Sequence, residues 1–204
     1  MSWPRAGTSS HISTDYVFGA DGKVGAYLEG ERPLHPPAGA YSLSKYKAEN
    51  LVLDRGSSHA SVARIAFPYG PAGRRPGLAQ KMAQRFEQSR RDKKPVKLFS
   101  DQIICPSYIP DIHLGLARIA EDLLAGRAEN IYHLTGRPST PLEFGGLVRS
   151  LFGFEDVAVE PVSAEGTLYP RNLCLSHEKT CRLLRMAMTP HADALRAVKG
   201  SPQP

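Results

Sequence analysis

The 204-residue sequence has only three cysteines and one tryptophan, and it has no apolar run near the length of a membrane span. A bilayer-crossing helix needs about 20 consecutive apolar residues, so we expect no membrane partner. Three cysteines are too few, and odd in number, for a disulfide scaffold. The first residues, Met-Ser-Trp-Pro-Arg, lack the apolar stretch of a signal peptide. These features together predict a cytoplasmic protein.

Two of the cysteines have a spacing that resembles half of a metal site. Cys174, His177 and Cys181 lie within eight residues of one another. A structural zinc site takes four ligands, and no second cluster of cysteine and histidine follows. We therefore predict no metal site, and we interpret the cysteines as buried or unreactive thiols.

The charge is moderately basic, with 26 Lys and Arg against 20 Asp and Glu and a formal net charge of +6. Basic residues are concentrated between Lys81 and Lys97. Such a stretch can attract nucleic acid, but it also fits the solvated face of one helix. We favour the helix face and predict no nucleic-acid partner.

Predicted strands and helices alternate along the chain, which indicates the α/β class with a parallel sheet. Residues 11–18 and 60–67 read as strands, and residues 41–55 read as a helix between them. Thr140-Pro141-Leu142-Glu143 is a capping box that predicts a helix up to about Phe152. A stretch rich in Pro, Gly and Arg near residues 70–77 predicts two domains, 1–75 and 76–204, of which the second is a smaller mixed α/β lobe.

Two groups of side chains could do chemistry. Ser13, Thr14 and Asp15 come at the end of the first predicted strand, and ligands of open α/β sheets bind at the carboxyl ends of strands. Tyr41 and Lys45 are one helical turn apart, so the phenol and the ammonium share a helix face. A nearby ammonium stabilises phenolate and lowers the pKa of a tyrosine, which suits the tyrosine to acid–base catalysis.

Five stretches then carry recognisable motifs in order along the chain: His-Ile-Ser-Thr-Asp-Tyr-Val-Phe (11–18), Tyr-Ser-Leu-Ser-Lys-Tyr-Lys-Ala-Glu (41–49), Arg-Ile-Ala-Phe-Pro-Tyr-Gly (64–70), Asp-Gln-Ile-Ile-Cys-Pro-Ser-Tyr-Ile-Pro-Asp (101–111) and Pro-Arg-Asn-Leu-Cys-Leu-Ser-His-Glu-Lys (170–179). Together they resemble the extended short-chain dehydrogenase/reductases, and most closely the dTDP-4-dehydrorhamnose reductase family with its sugar-nucleotide-binding domain. The resemblance implies a Rossmann-like sheet and NAD(P)H-dependent reduction of a nucleotide-linked 4-keto-deoxysugar in dTDP-rhamnose biosynthesis.

The resemblance also implies a role for individual residues. Tyr41 matches the proton donor to the C4 ketone, Lys45 matches the residue that holds the nicotinamide ribose, and Thr14 matches a hydroxyl beside the reacting carbonyl. NADPH or NADH would be bound by three residues, Tyr41, Lys45 and Ser13. The nucleotide-sugar substrate would contact Thr14, Asp15, Phe67, Gln102, Ser107, Arg171 and Asn172. For several of these a structural role stays open: Gln102 and Ser107 as loop hydrogen-bonders, Arg171 and Asn172 as a surface turn, and Phe67 as a core residue.

The family's fold begins with a strand, a glycine-rich turn that binds the cofactor pyrophosphate, and a helix. Here Gly19-Ala-Asp-Gly22 follows a strand, but a proline-rich loop comes next instead of a helix. We therefore expect a partial Rossmann-like sheet that lacks the N-terminal glycine-rich part, in a shortened copy of the enzyme with compromised cofactor binding. The alternative is a non-catalytic sugar-nucleotide-binding or regulatory module. In either case a homodimer or another partner would cover the open sheet edge.

Overall fold

Strands and helices alternate along the folded chain. The computed structural model describes residues 8–54, 60–71, 73 and 75–201. In chain order these residues form β1 (Ser9–Thr14), a 3-10 helix (Asp15–Phe18), α1 (Ala40–Asp54), β2 (Ala60–Ile65), β3 (Pro68–Tyr69), α2 (Leu78–Asp92), β4 (Val96–Phe99), β5 (Ser107–Tyr108), α3 (Ile109–Leu124), β6 (Ile131–His133), α4 (Pro141–Phe152), β7 (Val159–Val162), α5 (Glu178–Leu183) and α6 (His191–Gly200). The predicted α/β class is confirmed.

A three-stranded parallel sheet in the order β1-β2-β6 carries helices on both faces. Successive side chains of a strand point to opposite faces, and β2 shows this directly. Ala63 packs with Ile119 of α3, whereas the next residue, Arg64, bonds Glu49 of α1. Within the described residues β1 pairs with β2 alone and lies at the edge of the sheet.

A second parallel sheet, of two strands, forms a separate core with three helices. Strands β4 and β7 pair in parallel, and helices α2, α4 and α6 enclose a shared core with them. Phe86, Leu98, Phe144 and Leu195 are fully or almost fully buried in this core. Between β4 and α4 the chain returns to the first sheet through β6, which pairs with β2. The division into residues 1–75 and 76–204 stays a prediction.

The capping box predicted from the sequence is confirmed in α4. The Thr140 hydroxyl accepts a hydrogen bond from the Glu143 backbone N–H (3.1 Å), and the Glu143 carboxylate accepts one from the Thr140 N–H (2.8 Å). The helix runs to Phe152 and ends at Gly153, whose φ of 81° is left-handed. These reciprocal bonds satisfy backbone donors that the start of a helix leaves free.

Two of the predicted boundaries are wrong. The first strand ends at Thr14 and not at Phe18, because the Thr14 hydroxyl accepts a hydrogen bond from the Tyr16 N–H and a 3-10 turn follows. The second strand, predicted to reach residue 67, ends at Ile65, and Pro68-Tyr69 forms the separate two-residue strand β3 beside β5. The helix predicted over residues 41–55 is confirmed up to Asp54, and residue 55 lies outside the described part of the chain.

Candidate functional site

The buried polar residues Thr14 and Asp15 lie where β1 ends. The Thr14 hydroxyl donates to Oδ1 of Asp15 (2.9 Å), and the backbone N–H of Tyr16 donates to the same oxygen (3.0 Å). Asp15 is only 1% exposed, and its Oδ2 has no hydrogen-bond partner among the described residues. A buried polar atom without a partner is costly, so this oxygen is a candidate contact for a ligand.

Burial raises the pKa of Asp15 to about 7, although hydrogen bonds from Thr14 and Tyr16 act in the opposite direction. Because the pKa of Asp15 is higher in the folded than in the unfolded state, the free energy of unfolding falls as the pH rises from 3.8 to about 7. The structure therefore places an acid that titrates near neutral pH at the end of β1. Buried groups with shifted pKa values are frequent at functional sites.

We predict that Asp15→Asn stabilises the folded chain at high pH. The asparagine carries no charge to bury, so the variant's advantage over the native protein should grow between about pH 4 and about pH 7, by at most about 1.4 kcal/mol per pH unit. Urea unfolding at several pH values measures the difference. As a control, Asp193→Asn on the surface of α6 should leave the pH dependence of stability unchanged. An Asp15→Asn curve parallel to that of the native protein would contradict the prediction.

Tyr41 and Lys45 lie in the first turns of α1, against the edge of the sheet. The Lys45 ammonium donates to the backbone carbonyl of Ile12 in β1 (2.9 Å). Tyr41, with 60% of its surface exposed, stands one turn before it. Because both residues lie in α1, positions 41 and 45 share a helix face as predicted, and Lys45 connects this face to β1. On the neighbouring β1 residue, the buried Ser13 hydroxyl has no partner among the described residues.

A buried ion pair fixes α1 on the sheet, and the sequence analysis missed it. Arg64 on β2 donates to both carboxylate oxygens of Glu49 (3.0 and 2.7 Å), and both side chains are at most 1% exposed. Glu49 follows Tyr41 and Lys45 at i+8 and i+4, so all three share a helix face. A charged residue is almost never fully buried without a partner. An arginine inside an apolar strand was the signal that could have revealed the pair.

The ion pair extends into a wider polar network. Nη1 of Arg64 donates to the carbonyl of Glu31 (2.9 Å) and lies 3.2 Å from Nε2 of His133 in β6. Burial, reinforced by the Arg64 charge, lowers the pKa of His133 to about 3, so its ring is neutral. The ring then accepts from Arg64 through Nε2 and donates from Nδ1 to the Ser176 carbonyl (2.6 Å). The network joins α1, β2 and β6 to the segment before α5.

Three more of the predicted substrate contacts are Phe67 and Gln102, which lie in loops, and Ser107, which begins β5. Phe67 lies two residues after the end of β2 and has a φ of 42°, and its ring centroid is 6.0 Å from that of Tyr16. Non-glycine residues in the left-handed region are often found at functional sites. Gln102 donates to the Pro170 carbonyl (2.9 Å), and Ser107 donates to the Cys105 carbonyl (2.9 Å). In this structure Gln102 and Ser107 therefore hold loop backbone, as the structural interpretation of these residues expected.

Asn172 and Arg171 line a cavity of about 650 Å³. The Asn172 amide group donates to the carbonyls of Lys23 (2.7 Å) and Gly25 (2.6 Å), and its oxygen accepts from the Cys174 N–H (3.0 Å). Its hydrogen-bonding capacity is thus largely used by backbone. Arg171 is half exposed and forms an ion pair with Asp101 (3.3 Å), so its guanidinium remains open to a ligand.

A glycine-rich loop also lines this cavity. Gly19, Gly22 and Gly25 repeat at every third position, whereas the sequence analysis considered only Gly19 and Gly22 together as a glycine turn. Gly22 and Gly25 have φ values of 61° and 89°, a region that favours glycine. The expected departure from the family pattern is present, since the next helix of the described chain, α1, begins only at Ala40. The loop is instead held by Asn172.

The described residues offer no group of three or more His, Cys, Asp or Glu side chains placed to hold a metal ion. Over the same ranges, none of the helices has the length and apolar character that a membrane crossing requires.

Fold and site together define a Rossmann-like α/β protein with the Tyr-x-x-x-Lys helix of the extended short-chain dehydrogenase/reductases. The family model described as the RmlD substrate binding domain matches residues 8–199. The chain therefore belongs to this family, the dTDP-4-dehydrorhamnose reductase family expected from the sequence.

Two relatives match this chain over only part of their own length. One relative is a dTDP-4-dehydrorhamnose reductase of Aggregatibacter actinomycetemcomitans, to which this chain is 33% identical over 131 residues. The match covers 63% of this chain and 41% of the relative. The chain is 30% identical over 173 residues to a dTDP-4-keto-6-deoxy-D-glucose reductase of Streptomyces niveus, which covers 82% of this chain and 56% of that protein. The chain thus spans about half the length of these relatives.

Solved structures show the same fold. The dTDP-4-dehydrorhamnose reductase of Bacillus anthracis, determined in complex with NADP, superposes with a TM-score of 0.74 and 24% identity over 94% of this chain and 64% of that one. A dTDP-glucose 4,6-dehydratase of the same organism in complex with NAD gives a TM-score of 0.69 at 23% identity, covering 94% of this chain and 60% of the other. The Rossmann-like architecture expected from the sequence is confirmed.

Proposed function

We propose that this chain carries the acid–base residues and part of the sugar-nucleotide site of an NAD(P)H-dependent reductase that acts on a nucleotide-linked 4-keto-deoxysugar. The observation that supports this most is the position of the Tyr41–Lys45 helix face. Lys45 reaches the backbone of β1 at Ile12 (2.9 Å), two residues before Thr14. The proposal agrees with the reductase names of the two relatives.

Tyr41 is the proposed proton donor to the C4 oxygen of the sugar. Lys45 would hold the phenol ready for this transfer, because a neighbouring ammonium favours the phenolate that remains afterwards. Thr14 and Asp15 would contact the sugar near the reacting carbonyl, where Oδ2 of Asp15 is buried and lacks a partner among the described residues. Phe67 and Arg171 would contact the substrate further away, and Gln102, Ser107 and Asn172 would shape the loops that bind it.

A nicotinamide cofactor, when bound, would supply the hydride. Tyr41, Lys45 and Ser13 are the proposed contacts to its nicotinamide ribose. Tyr41 is exposed, and the Ser13 hydroxyl has no hydrogen-bond partner among the described residues. Both features are compatible with this role. NADP in the Bacillus anthracis structure favours NADPH over NADH. We further propose that residues 1–75 form the cofactor-binding part and residues 76–204 the substrate lobe.

A turnover assay tests the proposed activity. The chain, joined to the glycine-rich N-terminal part if the upstream DNA encodes one, is mixed with NADPH and a dTDP-linked 4-keto-6-deoxyhexose, and oxidation of NADPH is followed by absorbance. We expect oxidation that requires both compounds and the protein. Binding of the dTDP-sugar without oxidation of NADPH would overturn the catalytic proposal and favour the non-catalytic binding module.

The idea of a shortened copy of a longer reductase stays a prediction. Reading the DNA upstream of the Met1 codon tests it, because a reading frame with a strand, a glycine-rich turn and a helix is expected there.

A further inference from the structure

Two of the three cysteines lie against each other beside the cavity. Cys105 and Cys174 form a small buried cluster with Ala66. Cys105 is fully buried, whereas Cys174 lines the cavity and is 7% exposed. The third cysteine, Cys181, packs instead against the core beneath α3.

The backbone brings the two cysteines into register. Ile103 and Asn172 form a parallel bridge in which the Ile103 N–H donates to Arg171 (2.8 Å) and the Leu173 N–H donates to Ile103 (3.0 Å). Cys105 and Cys174 each follow this bridge by two residues, and side chains two residues apart point to the same face. The Sγ of Cys105 lies 3.8 Å from the carbonyl oxygen of Leu175, the residue after Cys174. The two thiols therefore face each other across neighbouring segments.

The pair is chemically asymmetric. The neighbouring Cys105 thiol lowers the pKa of Cys174, while the Cys174 neighbour and burial raise the pKa of Cys105. The thiolate is the nucleophile in thiol–disulfide exchange. Cys174, which borders the cavity, is thus the thiol placed to react first with a small molecule.

The geometry points to a modification site in which Cys105 and Cys174 form a disulfide when a low-molecular-weight disulfide enters the cavity. The Cys174 thiolate attacks one sulfur of the small disulfide, forms a mixed disulfide and releases one thiolate. The Cys105 sulfur then attacks the Cys174 sulfur, and its proton goes to the second departing thiolate. The protein loses two electrons and two protons, and the small disulfide is reduced to two thiols.

Such a disulfide would alter the cavity wall. Its sulfurs must approach to about 2.05 Å with the Cβ atoms about 3.8 Å apart. The segments 103–105 and 172–174 would move together, and the second of these carries Asn172, which holds the glycine-rich loop through Lys23 and Gly25. Oxidation would therefore couple to the shape of the cavity, whichever ligand the cavity binds.

Oxidised glutathione is the probe for this site. The reduced chain is treated with it in the folded state, remaining thiols are titrated, and disulfide-linked peptides are mapped by mass spectrometry. We expect the number of free thiols to fall from three to one, with a Cys105–Cys174 peptide pair that dithiothreitol reverses. Cys105→Ala should instead trap glutathione on Cys174, and Cys181→Ala should still form the disulfide.

Two results would overturn the proposal. One is a folded chain that keeps the Cys105 and Cys174 thiols free while Cys181 alone is modified. The other is a Cys105–Cys174 disulfide that forms only after denaturation. Cys105→Ser, checked for native circular dichroism, replaces Cys105→Ala if the latter does not fold. None of these readouts depends on reductase activity, so failure of the site and failure of the proposed function are distinguishable.

Discussion

Replacing Glu49 by alanine is expected to lower the free energy of unfolding by about 3–5 kcal/mol. The substitution leaves the Arg64 guanidinium charged and buried, because an arginine does not lose its proton in a protein. Its remaining contacts, the Glu31 carbonyl, the His133 ring and the face of Phe18, are neutral and cannot replace the lost carboxylate. The expected loss is a large fraction of the total free energy of unfolding of a typical domain.

Matched variants separate the buried charge from general damage to α1. Asp54 also lies on α1 and forms an exposed ion pair with Arg32. Asp54→Ala should lower the free energy of unfolding far less than Glu49→Ala, since exposed ion pairs contribute little. The double variant Glu49→Leu with Arg64→Met removes both charges and should recover much of the loss. Urea unfolding measures all three. A Glu49→Ala loss as small as that of Asp54→Ala would contradict the buried ion pair.

Replacing Tyr41 by phenylalanine is expected to reduce turnover about 10²- to 10⁴-fold, the usual contribution of a positioned general acid. The substitution deletes the phenolic proton and changes little else, because the Tyr41 side chain is mostly exposed and supports no core cluster of the described chain. Affinity for the sugar nucleotide and the unfolding free energy should remain near those of the native chain. The NADPH oxidation assay measures turnover, and calorimetry measures affinity.

Tyr46→Phe provides the control on the same helix. Tyr46 is half-buried against the cluster of Val17, Phe18, Tyr27 and Leu175, and it has no proposed role in proton transfer. Its replacement should leave turnover almost unchanged. Equal turnover in the Tyr41→Phe variant and the native chain would remove Tyr41 from the catalytic role.

Local signals in the sequence were enough to predict much of the fold. The Thr140–Glu143 capping box predicted the start of α4 because both of its hydrogen bonds are formed within four residues. The Tyr41–Lys45 spacing predicted a shared helix face because an α-helix places positions i and i+4 on one side. These features depend on few residues, and tertiary contacts did not override them.

Features that depend on long-range contacts were not predictable in this way. The partner of Arg64 is 15 residues earlier in the chain, and its contact His133 is 69 residues later. The Asn172 amide bonds a loop almost 150 residues away, so its structural use was visible only after folding. The turn at Asp15 was missed because Thr14 and Asp15 fit a strand end equally well, until their hydrogen bonds to Tyr16 are known.

The most direct test of the proposed sugar-nucleotide site is a calorimetric titration of the folded chain with dTDP-rhamnose. We predict saturable binding of one ligand per chain, weakened about tenfold by Asp15→Ala, as expected for the loss of about 1.4 kcal/mol of binding free energy. Asp193→Ala on α6 should bind like the native chain. A folded chain that gives no binding heat, or an Asp15→Ala variant with unchanged affinity, would contradict the placement of the site at the end of β1.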